Sequence, residues 1–198
     1  MNNKQAIPSE LSEAANSLNQ VLTKVVNSCG PGLKKAVALS CKALRNGNKI
    51  LFFGNGGSAT QAQHLAAELI NRFQLERKPL AALALTPDAA VITSIGNDYS
   101  FTELFSRQLI GLGQPGDIAV ALSTSGTSAN IVAGLKQARA QDLITIGLLG
   151  RDGGVCIEFC DISLLVQATE TARIQEAHLL LGHLFCELVE KEMAANTQ

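Results

Sequence analysis

Three groups of residues in this 198-residue chain have the types and spacing that hold an oxyanion and move a proton. The first is Gly54-Asn55-Gly56-Gly57-Ser58, directly after the apolar run Ile50-Leu51-Phe52-Phe53. Glycines there permit positive φ and close approach of backbone to a ligand. Ser58 and Thr60 are placed to cap the helix that follows and leave its first N–H groups free, which makes an anion site. The second group is His64 and Glu68 on that helix. Four residues apart, they share one face. On an arbitrary helix this is an ordinary surface pair, whereas behind a phosphate-type turn it sets an imidazole and a carboxylate toward one pocket. The third group is Ser123-Thr124-Ser125-Gly126-Thr127-Ser128, which follows an apolar strand and opens a helix at Ser128. A helix cap needs one hydroxyl residue. This run offers five, enough for hydroxyls and backbone N–H groups to converge on one phosphate.

The elements that must position these groups follow from hydrophobic periodicity. After the strand at 50–53 come four apolar runs at 80–85, 118–123, 144–149 and 162–166, separated by segments of helix length. Strands alternating with helices give a doubly wound parallel sheet, with ligands expected at the carboxyl ends of the strands. The loop after Leu85 leads through Asp88 to Ile95-Gly96-Asn97-Asp98-Tyr99. Asp152-Gly153-Gly154 reads as a plain turn. A final helix over 171–193 carries Gln175, His178 and His183, and on its apolar stripe His178 reads as structural. Ahead of the first strand, 9–28 and 33–45 read as two helices broken at Cys29-Gly30-Pro31-Gly32. The first of these is not needed to cover a small sheet, so its apolar face is expected to pair with another copy of the chain.

Composition bounds the rest. With 46% hydrophobic and 17% charged residues, one well-filled α/β unit over 1–198 is expected. It divides into N-terminal helices (1–46) used in oligomerisation and a sheet core with a C-terminal helix (47–198). A net charge of −1 and a pI near 6.3 give no reason to expect nucleic acid or an anionic membrane as partner. No run reaches the roughly 20 apolar residues of a membrane span, and the polar start lacks a signal-peptide core. A cytoplasmic location is expected. The five cysteines form no CxxC pair and read as reduced core thiols.

Gly54 to Ala59 also fits G-x-G-x-x-A after a strand, the dinucleotide-binding pattern. That pattern wants an acidic residue at the end of the second strand for a ribose. Asp88 comes somewhat late for this, and the second phosphate-type loop would go unused.

Four motifs in order, GNGGSATQAQHLAAEL, IGNDYSF, LSTSGTSANI and ARIQEAHLLLGHLFCELVE, closely resemble the sugar isomerase (SIS) domain and, within it, the phosphoheptose isomerase family. The resemblance covers nearly the whole chain. It implies a three-layer α/β/α sandwich with a five-stranded parallel sheet of flavodoxin-like type plus an N-terminal helical extension, and a homotetramer. The implied reaction is conversion of D-sedoheptulose 7-phosphate to D-glycero-D-manno-heptose 7-phosphate, the first step toward the ADP-heptose precursor of the lipopolysaccharide core. Carried over position by position, it implies substrate contacts from Asn55, Gly56, Gly57, Ser58, Asn97 and Asp98, and a phosphate held by Ser123, Thr124, Ser125 and Ser128. His64, Glu68, Gln175 and His183 match the ligands of one zinc ion per subunit. Glu68 and His183 match the acid/base pair, and Glu68 and Gln175 also touch substrate. The chain departs from the family's commoner residues at Thr127 and Ala172. A non-catalytic alternative is the SIS-fold protein that binds the bacterial replication initiator, which Ile70-Asn71-Arg72-Phe73 resembles. That group lacks the carboxylate and histidine that this chain keeps at Glu68 and His183.

Aldose–ketose interconversion through an enediolate needs groups that move a proton between adjacent carbons and a charge to stabilise the oxyanion. Glu68 and His183 suit the first task and a zinc ion the second. Gln175 and His183 are eight residues apart, about 12 Å of rise and roughly 80° of azimuth on a regular helix. One chain is not expected to bring both to a single ion, and His183 is expected to meet Glu68 of a neighbouring subunit.

Overall fold

The computed structural model describes residues 8–195. Strands β1(Ile50–Gly54), β2(Ala82–Ala84), β3(Ile118–Ser123), β4(Ile144–Gly150) and β5(Ile162–Val166) form one sheet in the order β2-β1-β3-β4-β5, parallel throughout. Six helices flank it: α1(Ser9–Arg45), α2(Gly57–Ile70), α3(Ala89–Asp98), α4(Leu104–Leu112), α5(Ala129–Ala140) and α6(Thr171–Ala195). The period-two pleat sorts the layers. Ile50 and Phe52 pack with α1, α2 and α6, while Leu51 and Phe53 pack with α3, α4 and α5. The result is the expected three-layer α/β/α sandwich.

The start of the chain departs from the sequence reading. One helix of 37 residues runs through Pro31, where a break and two helices were expected. A helix-interior proline costs about 3 kcal/mol. The same helix buries Val21, Val25, Leu33 and Val37. At about 1.5 to 3 kcal/mol per buried side chain, that outweighs the proline. Gly32 helps, because a methyl group there would sit 3.0 Å from Leu164, so the absence of a side chain lets α1 lie close on β5. Much of α1 therefore covers the sheet within its own chain. Leu11 and Val26 stay exposed on it, and on α6 Leu180, Leu184 and Leu188 form a partly exposed stripe at four-residue spacing.

Helix α2 leaves β1 on one face of the sheet, and α5 leaves the adjacent β3 on the other. Between these strands lies the topological switch point, where open α/β sheets bind ligands. No helix of the described residues is long and apolar enough to cross a membrane.

Candidate functional site

Gly56 occupies the N-cap of α2 with φ +54°, a backbone shape that glycine adopts at no steric cost. Ser58 and Thr60 do not cap the helix as expected. Ser58 is buried, and Thr60 Oγ1 donates to the Gly57 carbonyl at 2.7 Å. No side chain caps it, and the Gly57 N–H is left open, while the N–H groups of Ser58, Ala59 and Thr60 bond to the Asn55 and Gly56 carbonyls.

The hydroxyl loop after β3 divides its labour. Ser123 Oγ accepts the N–H of Gly126 at 3.0 Å, and Ser125 Oγ accepts from Thr127 N–H and Thr127 Oγ1 at 3.3 and 3.2 Å. Ser128 is the N-cap residue of α5 but makes no capping bond, so its hydroxyl is left for a ligand. A groove of about 800 Å³ opens here, lined by Ser125, Thr127, Arg151, Asp152, Gln167 and Thr169. Thr124 sends its backbone carbonyl to the foot of Gly150.

Two contributors to this loop escaped the sequence reading. Asn130, in the first turn of α5, exchanges two amide hydrogen bonds of 2.8 Å with Asn55 and joins the glycine turn to the hydroxyl loop. The turn at Gly153-Gly154 buttresses Gly126, where a methyl group would meet the Gly153 carbonyl oxygen at 2.1 Å. The adjacent glycines were the available signal.

Deeper along α2, His64 Nε2 lies 3.4 Å from Glu68 Oε1 and 2.8 Å from Nε2 of His183 on α6. The helices close at this level because Gly182 fits against Leu65, whose methyl carbons would lie 2.7 Å from any added Cβ. The donor atoms of His64, Glu68 and His183 all fall within 4.8 Å of one another. Zinc takes imidazole nitrogen and carboxylate oxygen at about 2.0 to 2.2 Å, so tetrahedral donors stand roughly 3.3 Å apart. Two nitrogens and one oxygen in this space fit such an ion and leave a fourth position, the pattern of a catalytic zinc site.

Gln175 stands apart from these three. Its carboxamide lies against Gly57, where an added Cβ would be 2.6 Å from Nε2, and its backbone carbonyl accepts from Gln61 Nε2 at 2.8 Å. Gly57 precedes His64 by seven residues, about 10 Å along α2. The expected separation of Gln175 from His183 is therefore present, but its consequence is reversed. His183 meets His64 and Glu68 of its own chain, and Gln175 is the residue left out. Asn97 and Asp98 end α3 at the surface, hydrogen-bonded to each other at 2.8 Å.

Asp88 caps α3, its carboxylate accepting from Ala90 and Val91 N–H at 2.9 and 3.0 Å. It is committed there and gives no support to a ribose site. All five cysteines are free thiols. Burial pushes Cys156 up to about 11 and Cys160 to about 12, which keeps them protonated and poor metal ligands. His178 is fully buried as expected of a structural residue.

The SIS domain family matches residues 15–150. A phosphoheptose isomerase from Geotalea daltonii is 45% identical over 93% of this chain and 96% of its own length. Another from Aquifex aeolicus is 51% identical over 75% of this chain and 78% of its own. The structure of phosphoheptose isomerase from Neisseria gonorrhoeae superposes with a TM-score of 0.88 at 38% identity, over 94% of this chain and all of that one.

Proposed function

Since the chain belongs to the SIS-domain family and, within it, to the phosphoheptose isomerases, and is therefore a phosphosugar isomerase, we propose that it interconverts D-sedoheptulose 7-phosphate and D-glycero-D-manno-heptose 7-phosphate. The observation that carries this reading is the meeting of His64, Glu68 and His183 donor atoms within 4.8 Å beside an uncapped glycine turn.

In this proposal the Ser123, Thr124, Ser125 and Ser128 loop and the start of α5 hold the phosphate, which supplies remote binding energy and fixes the sugar's orientation. Asn55, Gly56, Gly57 and Ser58 hold the sugar end, the Gly57 N–H being open at the start of α2, and Asn97 and Asp98 complete the contacts. Glu68 and His183 carry the proton between the adjacent carbons and between their oxygens as the enediolate forms and collapses. A zinc ion held by His64, Glu68 and His183, with Gln175 from a neighbouring copy as a further ligand, would polarise the sugar carbonyl by expanding to a fifth ligand. One ion per subunit, a homotetramer, a cytoplasmic location and a place at the start of ADP-heptose synthesis belong to the same proposal. The 1–198 chain then acts as one SIS unit, with exposed Leu11 and Val26 of α1 and the leucine stripe of α6 available between copies.

The initiator-binding alternative is not favoured, because the curated relatives described above are phosphoheptose isomerases. The deciding experiment incubates the purified protein with D-sedoheptulose 7-phosphate, with and without a chelator, and follows the aldose product. Turnover that the chelator abolishes and added zinc restores is expected. Absence of turnover in zinc-replete protein would overturn the reading.

A further inference from the structure

The segment between α2 and β2 is tied down by one buried carboxylate. Glu190, on α6 and 0% exposed, accepts the N–H groups of Phe73, Gln74 and Leu75 at 2.9, 2.7 and 2.9 Å. Arg77 Nε lies 3.2 Å from the same carboxylate. Its Nη2 donates to the Glu68 carbonyl at 2.9 Å, so the strap is also fastened to α2. Burial alone would raise the Glu190 carboxyl, but the three N–H donors and Arg77 outweigh it and hold the group below the ordinary range.

What this strap carries is a phenyl ring. The Phe73 centroid lies 5.6 Å from that of His183 with the planes 31° apart, an offset aromatic contact. His183 also meets His64 edge-on, centroids 5.1 Å apart. A metal-binding histidine ordinarily has its second ring nitrogen hydrogen-bonded to a carboxylate or carbonyl, which fixes the ring's rotation. Among the described residues His183 makes no such bond, its one hydrogen bond being that to His64 Nε2. Ring rotation about the last side-chain torsion is otherwise soft.

We propose that Phe73 is a positioning residue for His183, standing in for the missing hydrogen-bond partner by packing on the imidazole face, and that Glu190 anchors the strap that holds it there. The inference rests on the assignment of His183 to the metal and proton-transfer site.

The test compares Phe73→Leu, which keeps the backbone N–H that Glu190 accepts, with Phe73→Tyr, which keeps the ring. Zinc affinity is measured by competition with a chromophoric chelator, and the metal-free proteins are examined by NMR of 13C-labelled histidine rings, His183→Ala assigning the signal. Phe73→Leu is expected to displace the His183 ring signal, weaken zinc at least ~10-fold and lower kcat with KM little changed. Phe73→Tyr should restore all three. Glu190→Gln should act in the same direction and speed amide exchange at 73–75, and the Phe73 pair decides the matter even where that variant does not fold. Unaltered zinc affinity and an unmoved His183 signal in Phe73→Leu overturn the proposal while leaving the site assignment intact. Unaltered zinc binding and turnover in His183→Ala overturn the assignment itself, and the positioning role with it.

Discussion

Asn55 and Asn130 donate to and accept from each other at 2.8 Å in both directions, and this amide pair spans the switch point between β1 and β3. Asn130 is only 3% exposed, so Asn130→Ala leaves the Asn55 amide without its partner. A cost of about 1 to 3 kcal/mol in stability is expected, with KM for the sugar phosphate raised because the glycine turn loses its register. Asn130→Asp keeps one of the two bonds but brings negative charge to the first turn of α5. It should melt closer to the parent than the alanine variant and yet bind the phosphate dianion more weakly. Thermal melts and steady-state kinetics on both variants check this, and identical KM values in the two would exclude an anion at that turn.

Ser128 and Ser123 should separate binding from folding. The Ser128 hydroxyl makes no capping bond, so Ser128→Ala is expected to raise KM by the equivalent of roughly 1 to 3 kcal/mol with an unchanged melting temperature. Ser123 Oγ accepts the Gly126 N–H inside the loop, so Ser123→Ala should lower stability and binding together. Unchanged KM in Ser128→Ala removes its hydroxyl from the phosphate site.

The parts legible in the sequence were those whose signal is local. Continuous apolar runs bounded by turn residues placed β3 and β5 at their observed limits, and i,i+4 spacing put His64 and Glu68 on one face. Local rules failed where distant contacts outweighed them. Gly30-Pro31-Gly32 reads as a break, but burial of Val21, Val25, Leu33 and Val37 carries the helix through it. Asn130, Gly153 and Glu190 act through partners 75, 27 and 117 residues away, on loops that only the strand order makes neighbours. A carboxylate near the end of an amphipathic helix carries no mark that it will clasp three N–H groups.

His178 should give the fold an acid limit. Burial pushes its imidazole down from the ordinary 6.5 to about 4, and a backbone contact with Leu149 opposes this only in part. Neither ring nitrogen has a well-formed hydrogen bond. The folded chain keeps the ring neutral while the unfolded chain takes up a proton, so its contribution is complete above pH 6.5 and is lost as pH falls toward 4. The loss is on the order of 3 kcal/mol at the lower end. His178→Leu removes the titration without stranding a polar partner, and the melting temperature of that variant should fall less steeply between pH 6.5 and 4. Parallel curves for the two proteins would assign acid lability to other groups.

Subunit mixing distinguishes which ligands share a chain. His64, Glu68 and His183 converge within one chain, whereas Gln175 lies at Gly57, about 10 Å up α2 from them. Glu68→Gln removes a ligand and a proton-transfer group, and a loss of turnover of at least ~100-fold is expected, as it is for His183→Ala. A mixture of these two proteins should stay inactive after subunit exchange, since every chain then lacks one member of its own cluster. Gln175→Ala mixed with His183→Ala should regain activity. There a chain with intact His64, Glu68 and His183 can take Gln175 from its neighbour, as a closed symmetric assembly allows. Mass spectrometry verifies that exchange has occurred. Recovery in the first mixture would mean that Glu68 and His183 work across subunits, against the geometry of the cluster. With exchange verified, silence in the second would mean that Gln175 serves its own chain and must swing away from Gly57 to reach the ion.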